Sequence, residues 1–117
     1  MERYTDTISG EELYVDVSTS GKYYYKDRGM TIRHRLDGPA IEHAGGYKVW
    51  WVNGKVHRLD GPAVEYTDGS KAWWVDGKRH RLDGPAYEYA DGHKSWWVDG
   101  VFIIEINPSG KIIERME

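Results

Sequence analysis

The segment His57-Arg-Leu-Asp-Gly-Pro-Ala-Val-Glu-Tyr-Thr-Asp-Gly-Ser-Lys-Ala-Trp-Trp-Val-Asp-Gly-Lys-Arg79 decides how the rest of the chain is read. Versions of it begin at His34, His57 and His80 and follow one another without a gap, a period of 23 residues. Each keeps His-Arg-Leu-Asp-Gly-Pro-Ala, an acidic residue two places on, a Gly turn, a Lys and Trp-Trp-Val. Fixed periodicity of this length marks a repeat architecture, in which each unit buries its apolar surface against its neighbours.

Working outward, the whole chain of 117 residues has the size of one domain. It holds six Trp and nine Tyr against a single Phe. Such side chains offer large contact area with a polar handle and suit half-buried or binding surfaces. The formal net charge of −3 speaks against a sequence-independent grip on nucleic-acid phosphates. The absence of cysteine excludes disulfides and thiolate zinc sites. Met1-Glu-Arg-Tyr-Thr-Asp6 has no apolar signal core, so the expected setting is soluble and cytoplasmic.

Inside each repeat the centre reads as a β-hairpin. Ala63–Thr67 leads into Asp68-Gly69, and Ser70–Val75 returns; the other copies turn at Gly45-Gly46 and Asp91-Gly92. Asp-Gly tolerates the two positive φ angles of a type I′ turn. With that two-residue turn, Tyr66 faces Lys71, Val64 faces Trp73 and Ala63 faces Trp74. One face then carries Ile41, Val64 and Tyr87 with Trp50, Trp73 and Trp96. The other carries Ala40, Ala63, Ala86, Glu42, Glu65 and Glu88 with Trp51, Trp74 and Trp97, since side chains alternate along a strand.

Copies related by translation need an even number of chain reversals. Residues 76–84 therefore read as one wide connection with Asp-Gly at each end, and the fold as all-β: an extended antiparallel meander of stacked hairpins. The Gly-Pro step suits a strand start, where a missing N–H costs least. The divisions are 1–33 as an N-terminal cap and degenerate half repeat, then 34–56, 57–79 and 80–102 as repeats. Residues 101–117 form a C-terminal cap. In the first, Leu13–Val17 and Lys22–Tyr25 read as strands around Ser18–Gly21. In the last, Val101–Ile106 and Lys111–Arg115 close around Asn107-Pro-Ser-Gly110, a type I turn; a short helix over 109–116 is the alternative.

The conspicuous chemistry is a ladder of His34, His57 and His80 with Asp37, Asp60 and Asp83. Equivalent positions two strands on lie ~10 Å apart. Zn–N bonds of ~2 Å cannot join them, so no metal is expected. The His is expected to bond a backbone carbonyl and Arg-x-Asp to make a loop salt bridge. Glu42, Glu65 and Glu88 repeat in similar surroundings, whereas acid–base catalysis needs carboxyl groups driven apart in pKa. No catalytic residue, cofactor or enzymatic activity is expected.

Asn53-Gly-Lys-Val-His57 and Asp76-Gly-Lys-Arg-His80, with Tyr66-Thr-Asp-Gly69 and Tyr89-Ala-Asp-Gly92, resemble the MORN repeat family, which shares the period and an Asn/Asp-Gly-Lys-x-His signature. The resemblance covers residues 34–100 well and 12–33 loosely. That family has Gly directly after the His where this chain has Arg35, Arg58 and Arg81, and Tyr-x-Gly where this chain has Trp-Trp. The variant is similar to arrays in phage and bacterial proteins. It implies a hairpin scaffold but no particular partner, because such repeats serve varied targets.

The expected function is a non-enzymatic protein-binding module, of the kind with which a phage inhibits or modulates a host enzyme or defence protein in the host cytoplasm. The expected contact residues are Trp50, Trp51, Trp73, Trp74, Trp96, Trp97, Tyr66, Tyr89, Arg58 and Arg81, because interface hot spots favour Trp, Tyr and Arg. The alternatives are a self-associating homodimeric scaffold, with the apolar C-terminal segment as its surface, and a glycan- or nucleotide-binder that stacks Trp on rings. Membrane binding is not expected, because Asp60 and Asp83 interrupt the basic loops.

Overall fold

The computed structural model describes residues 2–116; the two chain-end positions of the caps, 1 and 117, lie outside them. An N-terminal meander comprises β1 (Glu2–Thr5), β2 (Glu12–Ser18) and β3 (Gly21–Tyr25). The first repeat supplies β4 (Ile41–His43), β5 (Lys48–Val49), β6 (Trp51–Val52) and β7 (Lys55–Val56). The second supplies β8 (Val64–Glu65), β9 (Lys71–Ala72), β10 (Trp74–Val75) and β11 (Lys78–Arg79). Then follow β12 (Tyr87–Glu88), β13 (Lys94–Val98), β14 (Val101–Ile106) and β15 (Ile112–Arg115). Eleven of them form one sheet in the order β1-β2-β3-β4-β5-β8-β9-β12-β13-β14-β15. Its pairings are all antiparallel. The fold is thus the hairpin meander that the repeat implies, about 50 Å long. β1 was not foreseen, and 112–115 is strand rather than the alternative helix.

In the second repeat the turn steps Asp68-Gly69 and Asp76-Gly77 behave differently, and the I′ turn falls on the latter. At Asp76-Gly77 both φ angles are positive, 51° and 77°, as they are at Asn53-Gly54 and Asp99-Gly100. At Asp68-Gly69 only Gly69 is positive. The Gly69 N–H returns to the Tyr66 carbonyl and the Tyr66 N–H to that of Ser70. Thr67-Asp-Gly69 is therefore a three-residue loop, a type I turn ending in an αL glycine. The Asp68 carboxylate accepts the Ser70 N–H and braces that form.

The extra residue moves the register by one. Val64 stands opposite Ala72 and Glu65 opposite Lys71, not Val64 opposite Trp73 or Tyr66 opposite Lys71. A one-residue slip exchanges faces. Trp50 and Trp73 thus share the face of Ala63, Glu65 and Glu88, and Trp74 and Trp97 that of Val64 and Tyr87. The contacts agree: Arg81 stacks on Trp73 while bonding Glu88, and Arg79 lies against Trp74, Tyr87 and Trp97. The true register also aligns Lys22, Glu42, Lys48, Glu65, Lys71, Glu88 and Lys94 as directly opposed residues of alternating sign. Such pairs favour this register over its neighbours.

Residues 76–84 are not one wide loop. β10 and β11 close a tight ribbon around Asp76-Gly77, as β6 and β7 do around Asn53-Gly54, and only residues 81–85 form an open loop. The ribbons join edge to edge. Gly77 N–H donates to the Val56 carbonyl and Arg58 N–H to that of Trp74; Arg81 N–H donates to the Trp97 carbonyl and Gly100 N–H to that of Arg79. A second strip of hydrogen-bonded backbone therefore accompanies the main sheet, where a bare single meander was expected. The third ribbon merges into the long β13–β14 hairpin, because no further His-Arg-Leu-Asp-Gly-Pro follows Gly100.

The buried positions of the repeats are mostly small, with Ile41 and Val64 the larger ones. Ala40, Ala63, Ala72 and Ala86 are fully covered, and Ser70 and Ser95 nearly so. The bulkier core lies at the N-terminal end, where Leu13, Val15, Tyr24 and Ala40 cluster with Tyr4 and Trp51 packed on them. The stack begins on this apolar block, and later units add hydrogen-bonded ribbon and half-buried aromatic rings rather than further large aliphatic residues.

Candidate functional site

Each His-Arg-Leu-Asp-Gly-Pro hexapeptide folds around its arginine. Arg58 Nε donates to Asp60 at 3.0 Å, while Nη1 donates to the Pro62 carbonyl at 3.1 Å and to Glu65 at 3.4 Å. Arg81 repeats this with Asp83, Pro85 and Glu88, and Arg35 with Asp37, Pro39 and Glu42. The guanidinium also stacks 3.9 Å from the centre of Trp50 for Arg58 and of Trp73 for Arg81. Arg35 uses Tyr24 in the same way, at 4.2 Å. On its other side a glycine must make room: a Cβ on Gly61 would stand 3.0 Å from Arg58 Cζ, and on Gly84 2.8 Å from Arg81 Cζ. A planar fork that stacks and bonds at once is what arginine offers and lysine does not.

The histidines anchor the loops to the next ribbon. Nδ1 of His34, His57 and His80 accepts the N–H of Asn53, Asp76 and Asp99 at 2.9–3.0 Å. The acceptor role places the ring hydrogen on Nε2, and in His34 that nitrogen faces Glu11 at 3.0 Å. The partner is therefore an amide N–H, not the carbonyl expected, and the residue it holds is the one with positive φ. Among the described residues no group of three or more His, Asp or Glu side chains is placed to hold a metal.

Held this way, the loop tips form a row along one side of the molecule, with a leucine at each tip. Leu59 is 79% exposed and Leu82 80%, against 37% for Leu36. Open clefts lie between successive loops. One is lined by Arg58, Leu59, Asp60, Trp73, Leu82 and Asp83; the other by Leu36, Asp37, Trp50, Leu59 and Asp60, with Ile8 of the N-terminal cap. Apolar side chains this exposed on immobilised backbone have no packing role in the chain itself.

The first loop differs because the cap covers it. The turn after β1 brings Asp6, fully buried, against its backbone: Asp6 Oδ2 accepts the N–H of Leu36 at 2.6 Å and of Asp37 at 3.2 Å. Asp6 Oδ1 accepts the N–H of Ile8 and Ser9 and so shapes the turn. In return Asp37 accepts the Thr7 N–H and hydroxyl at 2.8 and 2.9 Å and the Tyr4 hydroxyl. Burial opposes ionisation of Asp6, but four backbone N–H donors outweigh it and hold the carboxyl below its ordinary value. Asp37 is likewise held well down, its burial outweighed by Thr7, Tyr4 and Arg35.

The residues singled out by sequence divide accordingly. Arg58 and Arg81 lie in the loop row as its internal fasteners. Trp50 and Trp73 are half-buried beneath them, each lining a cleft. Trp51 and Trp74 lie on the opposite face beside Arg33 and Arg79, their indole nitrogens buried without a partner among the described residues. Trp96 pairs with Ile104 in the closing hairpin, and the Trp97 indole donates to Ser95. Tyr66 and Tyr89 sandwich Tyr87, at 5.9 and 4.1 Å, on the face away from the loops. The site residues that sequence reasoning passed over are Leu59, Leu82 and the capping Asp6. A leucine recurring between Arg and Asp-Gly-Pro, where a loop should be polar, was the available signal.

No family model, curated protein or solved structure matches the chain.

Proposed function

We propose that the chain is a non-enzymatic binding module whose contact surface for a protein partner is the row of arginine-fastened loops. The observation that carries this reading is the near-complete exposure of Leu59 and Leu82 on backbone fixed by charge-assisted hydrogen bonds. Preformed loops lose little conformational freedom on binding, and exposed leucines flanking a cleft supply apolar area to bury. The Trp faces first suspected are less free. Trp50 and Trp73 already carry guanidinium groups, so stacking on sugars or nucleobases would have to displace them. Trp50 and Trp73 instead support the loops from below.

Site-specific photo-crosslinking tests the proposal. A photoreactive residue at position 59 or 82 should join the chain to one discrete partner in cells of its source, and the same group at Tyr66, on the opposite face, should not. Crosslinks that are absent at 59 and 82, or equal from all three positions, would contradict it.

A second reading has its own observation. Val101, Ile112, Ile113 and Met116 are about half exposed at the end of the stack, where β15 pairs only with β14 among the described residues. An open strand edge with apolar side chains favours pairing with another copy. Light scattering should then show a dimer that Ile113→Lys dissolves; a monomer at high micromolar concentration would remove this reading.

A further inference from the structure

The three loops have one sequence and one internal geometry but unequal surroundings. Asp37 is 6% exposed, Asp60 87% and Asp83 88%. In the first loop the Leu36 and Asp37 amides are satisfied by the Asp6 carboxylate, and the Asp37 carboxylate by Thr7. In the second and third loops the amides of Leu59, Asp60, Leu82 and Asp83 have no hydrogen-bond partner among the described residues. Backbone N–H groups in this state are bonded to water and can exchange it for an acceptor. The clefts run beside these groups.

We propose that the second and third loops recognise, on a partner polypeptide, the same element that the cap presents to the first: an aspartate followed directly by threonine or serine. The inference rests on the loop-row reading above and adds the chemistry of the partner. The aspartate carboxylate takes the paired amides of Leu59 and Asp60, or of Leu82 and Asp83. The next residue gives its N–H and hydroxyl to the Asp60 or Asp83 carboxylate. The leucine beside them covers the apolar part of the turn, as Leu36 and Ile8 line one cleft with Leu59.

The loop aspartate makes the site selective. A bare anion at the amides would lie beside Asp60 or Asp83 and offer that carboxylate nothing. An acceptor with donors one residue away satisfies both, and in the first loop two ionised carboxylates coexist on those terms. A phosphodiester anion carries no donor of its own, whereas Asp-Thr sets an N–H and an O–H one residue from its carboxylate, so the site fits a peptide. Each cleft is walled by the preceding loop, so its occupant is a single chain segment rather than another sheet. Two equivalent sites one repeat apart also allow a partner with two such turns to bind both at once.

The test titrates the 15N-labelled full chain with the blocked hexapeptide Thr-Asp-Thr-Ile-Ser-Gly, the sequence of residues 5–10. The expected result is saturable movement of the Leu59, Asp60, Leu82 and Asp83 amide signals. An Asn-for-Asp hexapeptide should bind about tenfold more weakly or worse, since it loses a charge-assisted pair. Absence of movement up to about 10 mM peptide, enough to reveal millimolar affinity, would overturn the proposal. So would movement confined to Leu36 and Asp37, which would mean displacement of the cap, or equal shifts from sodium acetate. Equal binding by the Asp and Asn peptides would also overturn it, while leaving the loop row as a peptide-binding surface; photo-crosslinking from positions 59 and 82 reads that surface separately.

Discussion

At the scale of the residue, the molecule turns on three arginines that serve backbone and aromatic rings together. Arg58 bonds a side chain, a carbonyl and a strand glutamate while stacking on Trp50. Its glutamate and aspartate partners are partly or largely exposed, so the ion pairs alone contribute little. The carbonyl bond and the stacked ring contribute more. Arg58→Lys keeps the charge but loses the fork; it should lower unfolding free energy by about 1–3 kcal/mol. Leu59→Ala, one residue away, should stay within about 0.5 kcal/mol of the native chain. Urea denaturation of the two variants checks both values. Asp6 and Asp37 give the fold a pH dependence of known sign. Their folded pKa values lie below the unfolded value of about 3.9. Their stabilisation is therefore complete above pH ~4 and is lost as pH falls through the folded values. The melting temperature of the native chain should fall steeply below pH ~4. That of the Asp6→Asn/Asp37→Asn double variant should start lower and fall less.

At the scale of the element, identical dipeptides take different turns because of what brackets them. Asp76 adopts positive φ where His57 accepts its N–H and the preceding ribbon accepts that of Gly77. Asp68 has neither contact and braces a longer loop with its own carboxylate. Asp-Gly read alone suits both forms; putting the two-residue turn on the first step assigns each Trp to the wrong face, while Val64 with Tyr87 and Ala63 with Glu65 keep theirs. The charge pattern held the correction: only the three-residue loop sets Glu65 against Lys71. Deleting Thr67 shortens that loop to two residues. The second repeat must then either break the Lys–Glu ladder or strain the turn, and the variant should lose about 2 kcal/mol or more. Chemical denaturation measures the loss; an unchanged midpoint would mean that the register is not fixed by this loop.

At the scale of the whole molecule, the repeat made the meander, its two main-sheet strands per unit and its closing hairpin legible, because period and alternation are properties of sequence. The second strip was not legible. It is built from backbone bonds between ribbons of only two residues a side, too short to carry a hydrophobic pattern. Of the candidate site, the arginines and the tryptophans beneath them were legible as a constellation, but not which residues lie outermost. Trp looked like the contact and the loop like the connector; the geometry puts Trp under the loop and Leu59 and Leu82 outermost. The cap itself was legible, but its hold on the first loop was not, because Asp6 and Leu36 are 30 residues apart and their contact is one carboxylate on two amides.

The central claim, that the repeats are a scaffold and the loop leucines its contact surface, is tested most directly by one double variant. Leu59→Ser/Leu82→Ser should unfold within about 1 kcal/mol of the native chain, as exposed positions do. In affinity capture with mass spectrometry it should also lose the partner that the native chain retains. A variant that unfolds normally and captures the same partner undiminished would contradict the account.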